Sequence, residues 1–69
     1  MKKINGYTII AHRPYSHGDK GLVILGVRSL DKGYEYVSAV VDTLDDRDWS
    51  WGHYTPNNLD TAVKDFNER

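Results

Sequence analysis

The chain has no cysteine, one methionine, one phenylalanine and two prolines in 69 residues. Without cysteine it forms neither a disulfide nor a thiolate zinc site, the two staples on which small folds most often rely. A single domain this short buries only roughly 60% of the surface its unfolded chain exposes. Association with another chain, a homodimer included, is the remaining familiar support. Long apolar runs are missing too. The longest, Leu22 to Leu25, is far short of the roughly 20 residues of a membrane helix. Asn5, Gly6, Tyr7 and Thr8 interrupt any signal-peptide core after Met1-Lys2-Lys3. These absences predict a soluble, cytoplasmic chain with no membrane partner.

The net charge of −1 hides an asymmetry. Residues 1–41 carry six Lys/Arg against three Asp/Glu, or +3, and residues 42–69 carry three against seven, or −4. Nucleic-acid binders concentrate a basic excess on one face. Here the excess is scattered, and the end that holds both tryptophans is acidic. Phosphate binding through that end is disfavoured.

Alternation predicts strands over Lys3–His12, Gly21–Ser29, Tyr34–Thr43 and Trp49–Tyr54. Asn5-Gly6 is turn-prone but has only four residues before it, so it reads as a bulge or bend rather than a hairpin. Arg13 to Gly21 is a loop by composition, opened by Pro14. The unbroken apolar stretch after Gly21 predicts a central strand covered on both faces, with Gly26 lying under a large neighbouring side chain. Leu30 to Gly33 is a hairpin turn, and Leu44 to Asp48 an acidic one. Along the third strand Tyr34, Tyr36, Ser38, Val40 and Asp42 share a face. In the fourth, Trp49, Trp51 and His53 do so. Asn57 or Asn58 caps a short helix, whose stripe is Leu59, Ala62, Val63 and Phe66. Too short to persist alone, that helix must dock. The fold class is α+β, an antiparallel meander of three to four strands with one C-terminal helix on one face.

The sheet holds more apolar and aromatic side chains than one face can bury. If the aliphatic set meets the helix, Tyr34, Tyr36, Trp49, Trp51 and His53 lie on the opposite face and are the partner-binding candidates, with Asp45, Asp46 and Asp48 from the acidic turn. Otherwise Trp49, Trp51 and His53 are core beneath the helix. Exposed aromatic patches mark interaction sites, and tryptophan and tyrosine dominate binding hot spots. Other chemistries find no support. His12, His17 and His53 lack any i, i+3 or i+4 spacing, so no metal site is predicted. The run from Asp42 to Asp48 has neither the register nor the glycine of a calcium loop. There is no P-loop, dinucleotide fingerprint, HExxH or nucleophile motif, and no spacing selects His53 with Asp48 or Tyr54 as an acid–base pair. No catalytic residue, cofactor or enzymatic activity is assigned.

Trp51-Gly52-His53-Tyr54, the helix start and Ala62 to Arg69, with Ile4 to Tyr7 and Tyr36-Val37, carry a resemblance over most of the chain. The sequence resembles a group of small uncharacterised proteins of phages, plasmids and integrative elements in Gram-positive bacteria. They share the Trp-Gly-His-Tyr block and an Asp-Phe-x-x-Arg ending. Asn57-Asn58 after Pro56 departs from the more acidic helix start of that group. The resemblance implies a mobile-element accessory protein that acts by binding, such as an anti-CRISPR-like inhibitor of a host defence protein.

The function expected is thus a non-enzymatic protein-binding module with an aromatic and acidic surface. One alternative is single-stranded nucleic-acid binding by stacking, with Lys20, Arg28 and Lys32 beside the rings. The other is a homodimer built on the aromatic face.

Overall fold

A computed structural model describes residues 2–16 and 21–69. His17 and Lys20 lie outside the described residues. The elements in chain order are β1 (Lys3–Ile4), β2 (Tyr7–Pro14), β3 (Leu22–Leu30), β4 (Gly33–Val41), β5 (Ser50–Pro56) and α1 (Leu59–Glu68). The strands form one antiparallel sheet in the order β1-β2-β3-β4-β5. The α+β meander with a C-terminal helix is as the sequence predicts, with five strands instead of three to four.

The extra strand comes from Asn5-Gly6. Their φ angles of 54° and 84° are those of a tight turn whose twist matches the flanking strands. They close a hairpin that pairs Ile4 with Tyr7 and Lys3 with Thr8. Because β1 is so short, the rest of β2 is a sheet edge. There Pro14, which has no amide to donate, still pairs with Leu22. The strand therefore runs two residues past its predicted end.

Two bulges decide which side chains go where. The first lies between Ile9 and Ala11, and it separates Ala11 from Tyr7 and Ile9, which strict alternation would put on one face. Tyr7 and Ile9 pack on one face and Ala11 on the other. The second lies between Ser38 and Val40 on β4, opposite Ser50 to His53 of β5.

Both faces of the sheet are covered, and β3 is buried between them as its composition predicts. On one face Val23 and Leu25 meet Ala62 and Phe66 of α1, with Tyr15, Tyr36 and Val63 around them. On the other, Tyr7, Ile24, Val37, Ala39 and Val41 are closed over by Leu44 and Trp49. The segment that supplies Leu44 and Trp49 is tied to the first hairpin. Asn5 donates to the Arg47 carbonyl at 3.0 Å, and Lys2 pairs with Asp45. Gly26 has its predicted neighbour: a Cβ there would sit 3.1 Å from Cβ of Tyr7 and from Val37.

The Tyr7 ring closes the second face at the top. Its hydroxyl donates to Glu35 at 2.5 Å, Arg28 donates to the same oxygen at 2.8 Å, and the Arg28 guanidinium lies 5.5 Å from the Tyr7 ring centre. Burial, then the hydrogen bond to Glu35 and its charge, push the Tyr7 phenol up to about 12 against the opposing Arg28. Hydrogen bonds from Tyr7 and Arg28 hold the Glu35 carboxyl below its ordinary value.

Helix α1 starts at Asn58, whose side chain accepts from the Thr61 amide at 3.1 Å. Asn57 is not a second cap. At φ 56° it turns back to the β3–β4 hairpin, donating its amide to the Tyr34 carbonyl at 2.7 Å and accepting from the Tyr34 amide at 3.0 Å. Gly33, at φ +113°, lies directly beneath that side chain, and a Cβ there would collide with it. Gly33→Ala should therefore cost roughly 1–3 kcal/mol and lower the melting temperature by at least about 5 °C. Asp31→Ala, in the same turn, should stay within about 0.5 kcal/mol. Equal melting temperatures for the two variants would contradict the Asn57 clasp.

Candidate functional site

Strand β5 runs from Ser50 away from the acidic segment, and α1 brings the chain back to the same end of the sheet. What the returning helix does there shapes the surface. Its last carbonyls, which carry the negative end of the helix dipole, meet Arg13. The guanidinium donates to the carbonyls of Phe66 and Arg69 at 2.7 and 2.6 Å and lies 5.5 Å from the Phe66 ring centre.

Arg69 then reaches into the sheet. Its Nε donates to the Ser38 hydroxyl at 2.8 Å and to Asp65 at 3.3 Å. One terminal nitrogen donates to the Ser38 carbonyl at 3.2 Å and to the Trp51 carbonyl. The side chain is only 10% exposed, and two of its three nitrogens are held by these partners. His53 completes the cluster, its Nδ1–H donating to both Asp65 oxygens at 2.9 Å.

Trp51 occupies the β5 bulge at φ 51°, a left-handed conformation costly for a bulky residue. Arg69 holds its carbonyl there. The consequence is that Trp49 and Trp51, expected on one face with His53, part company. Trp49 is half-buried, 5.6 Å from the Tyr7 ring centre, with its indole donating to the Asp46 carbonyl at 3.1 Å. Trp51 is 66% exposed. His53 takes the helix side, opposite Ser38. A one-residue insertion reverses the facing of everything beyond it.

Beside Trp51 lies an open cleft of about 770 Å³ at the end of the sheet. Tyr15 and Trp51 form its aromatic side, with ring centres 6.3 Å apart and planes inclined by 42°. Asp42, Asp45, Asp46 and Asp48 form its acidic side. The four carboxylates are not equivalent. Asp46 organises the segment, accepting from the amides of Asp42 and Asp48 at 3.3 and 2.8 Å. Asp45 is paired with Lys2. Among the described residues no cation pairs with Asp42 or Asp48.

Of the residues singled out from sequence, the cleft thus gathers Asp45, Asp46, Asp48 and Trp51. It excludes the rest. Trp49 belongs to the core, Tyr36 packs against the helix cluster, and His53 belongs to the Asp65–Arg69 tie. Tyr34 is exposed at the opposite end, beside a second depression of about 560 Å³ with Lys3, Asn5 and Arg28. The cleft's second aromatic ring, Tyr15, and its fourth carboxylate, Asp42, are not among the residues singled out from sequence. Tyr15 sits in a stretch that reads as loop, and its only signal is an aromatic ring among polar and glycine residues. Asp42 reads as the end of the third strand's alternation.

Three other chemistries can be weighed on the geometry. Among the described residues no group of three or more His, Cys, Asp or Glu could hold a metal ion. His12 and His53 lie on β2 and β5, with two strands between them. Ser38, His53 and Asp65 have the residue types of a nucleophilic triad, but Ser38 is 1% exposed and its oxygen accepts from Arg69. The partner of His53 is Asp65, neither Asp48 nor Tyr54. Among the described residues no helix is long and apolar enough to cross a membrane. No protein-family model, curated protein or solved structure matches the chain.

Burial pushes the Asp65 carboxyl up, but hydrogen bonds from His53 and Ser38 and the Arg69 charge outweigh it and hold it below the ordinary 3.8. The unfolded chain then takes up this proton at a higher pH than the folded one. The stabilisation is present above 3.8 and is lost as pH falls through the folded value. In thermal melts the gap between wild type and Asp65→Asn should be at full size above the ordinary 3.8 and shrink as pH falls below it. A gap independent of pH would show that the ionised carboxylate does not hold the helix end.

Proposed function

We propose that this chain is a non-enzymatic protein-binding module whose working surface is the cleft beside Trp51. The observation that carries this reading is the indole itself. It is one of the two largest side chains in the protein, it is left mostly in water, and it sits on a left-handed backbone that three elements cooperate to hold. Strain of that kind persists only where surrounding contacts over-determine it, and it clusters at functional sites. Exposed tryptophan beside tyrosine is also the composition of binding hot spots.

The resemblance to mobile-element proteins extends the reading to an accessory protein that inhibits a host protein, a defence nuclease among the candidates. The acidic side of the cleft favours a basic partner surface and speeds its encounter. Stacking of single-stranded nucleic acid is the weaker reading. Arg28 is engaged by Glu35, and Lys32 lies in the β3–β4 turn, at the other end of the sheet from Trp51.

Trp51→Gly is the test, because glycine adopts the left-handed bulge without strain. We expect the variant to melt at or above the wild-type temperature. In affinity capture from the native host it should lose at least about thirtyfold in partner affinity, the scale of a hot-spot residue. Full partner capture by the folded variant would contradict the assignment.

A further inference from the structure

The cleft is amphiphilic in a way that selects its occupant. One side is a continuous aromatic surface, Tyr15 and Trp51 inclined against each other. The other carries carboxylates, and the two without a cationic partner among the described residues, Asp42 and Asp48, flank Asp46. A purely apolar ligand would strand these carboxylates away from water, at a cost. An anion would be repelled by them. A metal ion would leave the rings unused, and the aspartates do not converge into a metal site. What matches both sides at once is an organic cation with a flat apolar face.

We propose that the cleft seats an arginine side chain from a basic segment of a partner protein, with the guanidinium over the Trp51 ring and its N–H groups directed at Asp42 and Asp48. This rests on the binding-module reading and gives it a partner chemistry. Guanidinium stacks on aromatic faces and donates in a planar fork that fits carboxylates, and tryptophan is the best aromatic acceptor of a cation. A lysine ammonium is a compact, strongly hydrated charge and meets only half of these terms. The cleft, at about 770 Å³, is within the usual range of ligand sites and leaves room for residues flanking the arginine. The protein uses the same pairing internally, where Arg13 lies over Phe66 and Arg28 over Tyr7.

The test is titration of the isotope-labelled full chain with acetylated hexa-arginine and hexa-lysine peptides at near-physiological salt. The readouts are the Trp51 indole N–H and the amides of Asp42 and Asp48. Hexa-arginine should shift these resonances saturably, and the Asp42→Asn/Asp48→Asn double variant should bind it at least about tenfold more weakly. Hexa-lysine should bind several-fold more weakly than hexa-arginine. Equal affinity for the two peptides, undiminished binding by the double variant, or shifts spread over acidic residues elsewhere such as Asp31 and Glu68 would each overturn the proposal. The native partner separates this from the reading beneath it. If Trp51→Gly abolishes its capture and the double asparagine variant captures it fully, the cleft binds protein without a guanidinium, and only the arginine assignment fails. If hexa-arginine binds as described and Trp51→Gly still captures the partner, the cleft accepts arginine but is not the surface that binds the partner, and the cleft as working surface fails together with the partner arginine.

Discussion

The Arg69 guanidinium is the contact on which the rest of the architecture converges. A ten-residue helix contributes two buried side chains, Ala62 and Phe66, too little apolar surface to fix its angle and register by itself. Arg69 supplies the missing constraint by joining Ser38 of β4, Trp51 of β5 and Asp65 of the helix through one side chain. A charge this buried is tolerated because Nε and one terminal nitrogen find acceptors in Ser38, Asp65 and Trp51, the Asp65 carboxylate among them. The group is a fixed planar fork, so it also fixes the relative positions of the three elements that it joins.

That constraint propagates outward. Holding the Trp51 carbonyl stabilises a left-handed residue in the β5 bulge, and the bulge sends one tryptophan inward and the other outward. Trp49 turns inward with Leu44 and closes the second face of the sheet, drawing the acidic segment over Tyr7. Trp51 turns outward next to Tyr15. The cleft lies between these two outcomes, with aromatic and acidic sides that are both products of the same bulge. At the far end a second clasp, Asn57 on the β3–β4 hairpin, sets where the helix begins. The helix is thereby pinned at both termini to the sheet it covers.

Much of this was legible in the sequence, and the reasons are physical. Period-two alternation, the unbroken run at Leu22 to Leu25 and the spacing of Ala62, Val63 and Phe66 are averaged over many residues, so they survive local irregularity. That is why the α+β class, the central strand, the role of Gly26 and the docking helix could be read. Features set by a single residue could not. A bulge at Ile10 or Trp51 leaves no mark in the alternation that precedes it, yet it reverses the facing of all that follows. Asn5-Gly6 has little chain before it, yet two residues of strand suffice when the twist of the turn fits. Asn57 and Asn58 look equivalent in sequence; only their φ angles make one a hairpin clasp and the other a helix cap. Of the eight residues expected to form a binding surface, four share a cleft. Of the other four, Trp49 and His53 are parted from Trp51 by the bulge, while Tyr36 faces the helix and Tyr34 lies at the far end of β4.

The central claim is that the two tryptophans have opposite environments. Acrylamide quenching of single-tryptophan variants tests it most directly. With Trp49→Phe the remaining Trp51 should emit at long wavelength and quench nearly as freely as indole in water. With Trp51→Phe the remaining Trp49 should emit at shorter wavelength and be shielded several-fold. Indistinguishable emission and quenching for the two variants would mean that the tryptophans share one environment, and the bulge, the cleft and the role of Arg69 would fall together.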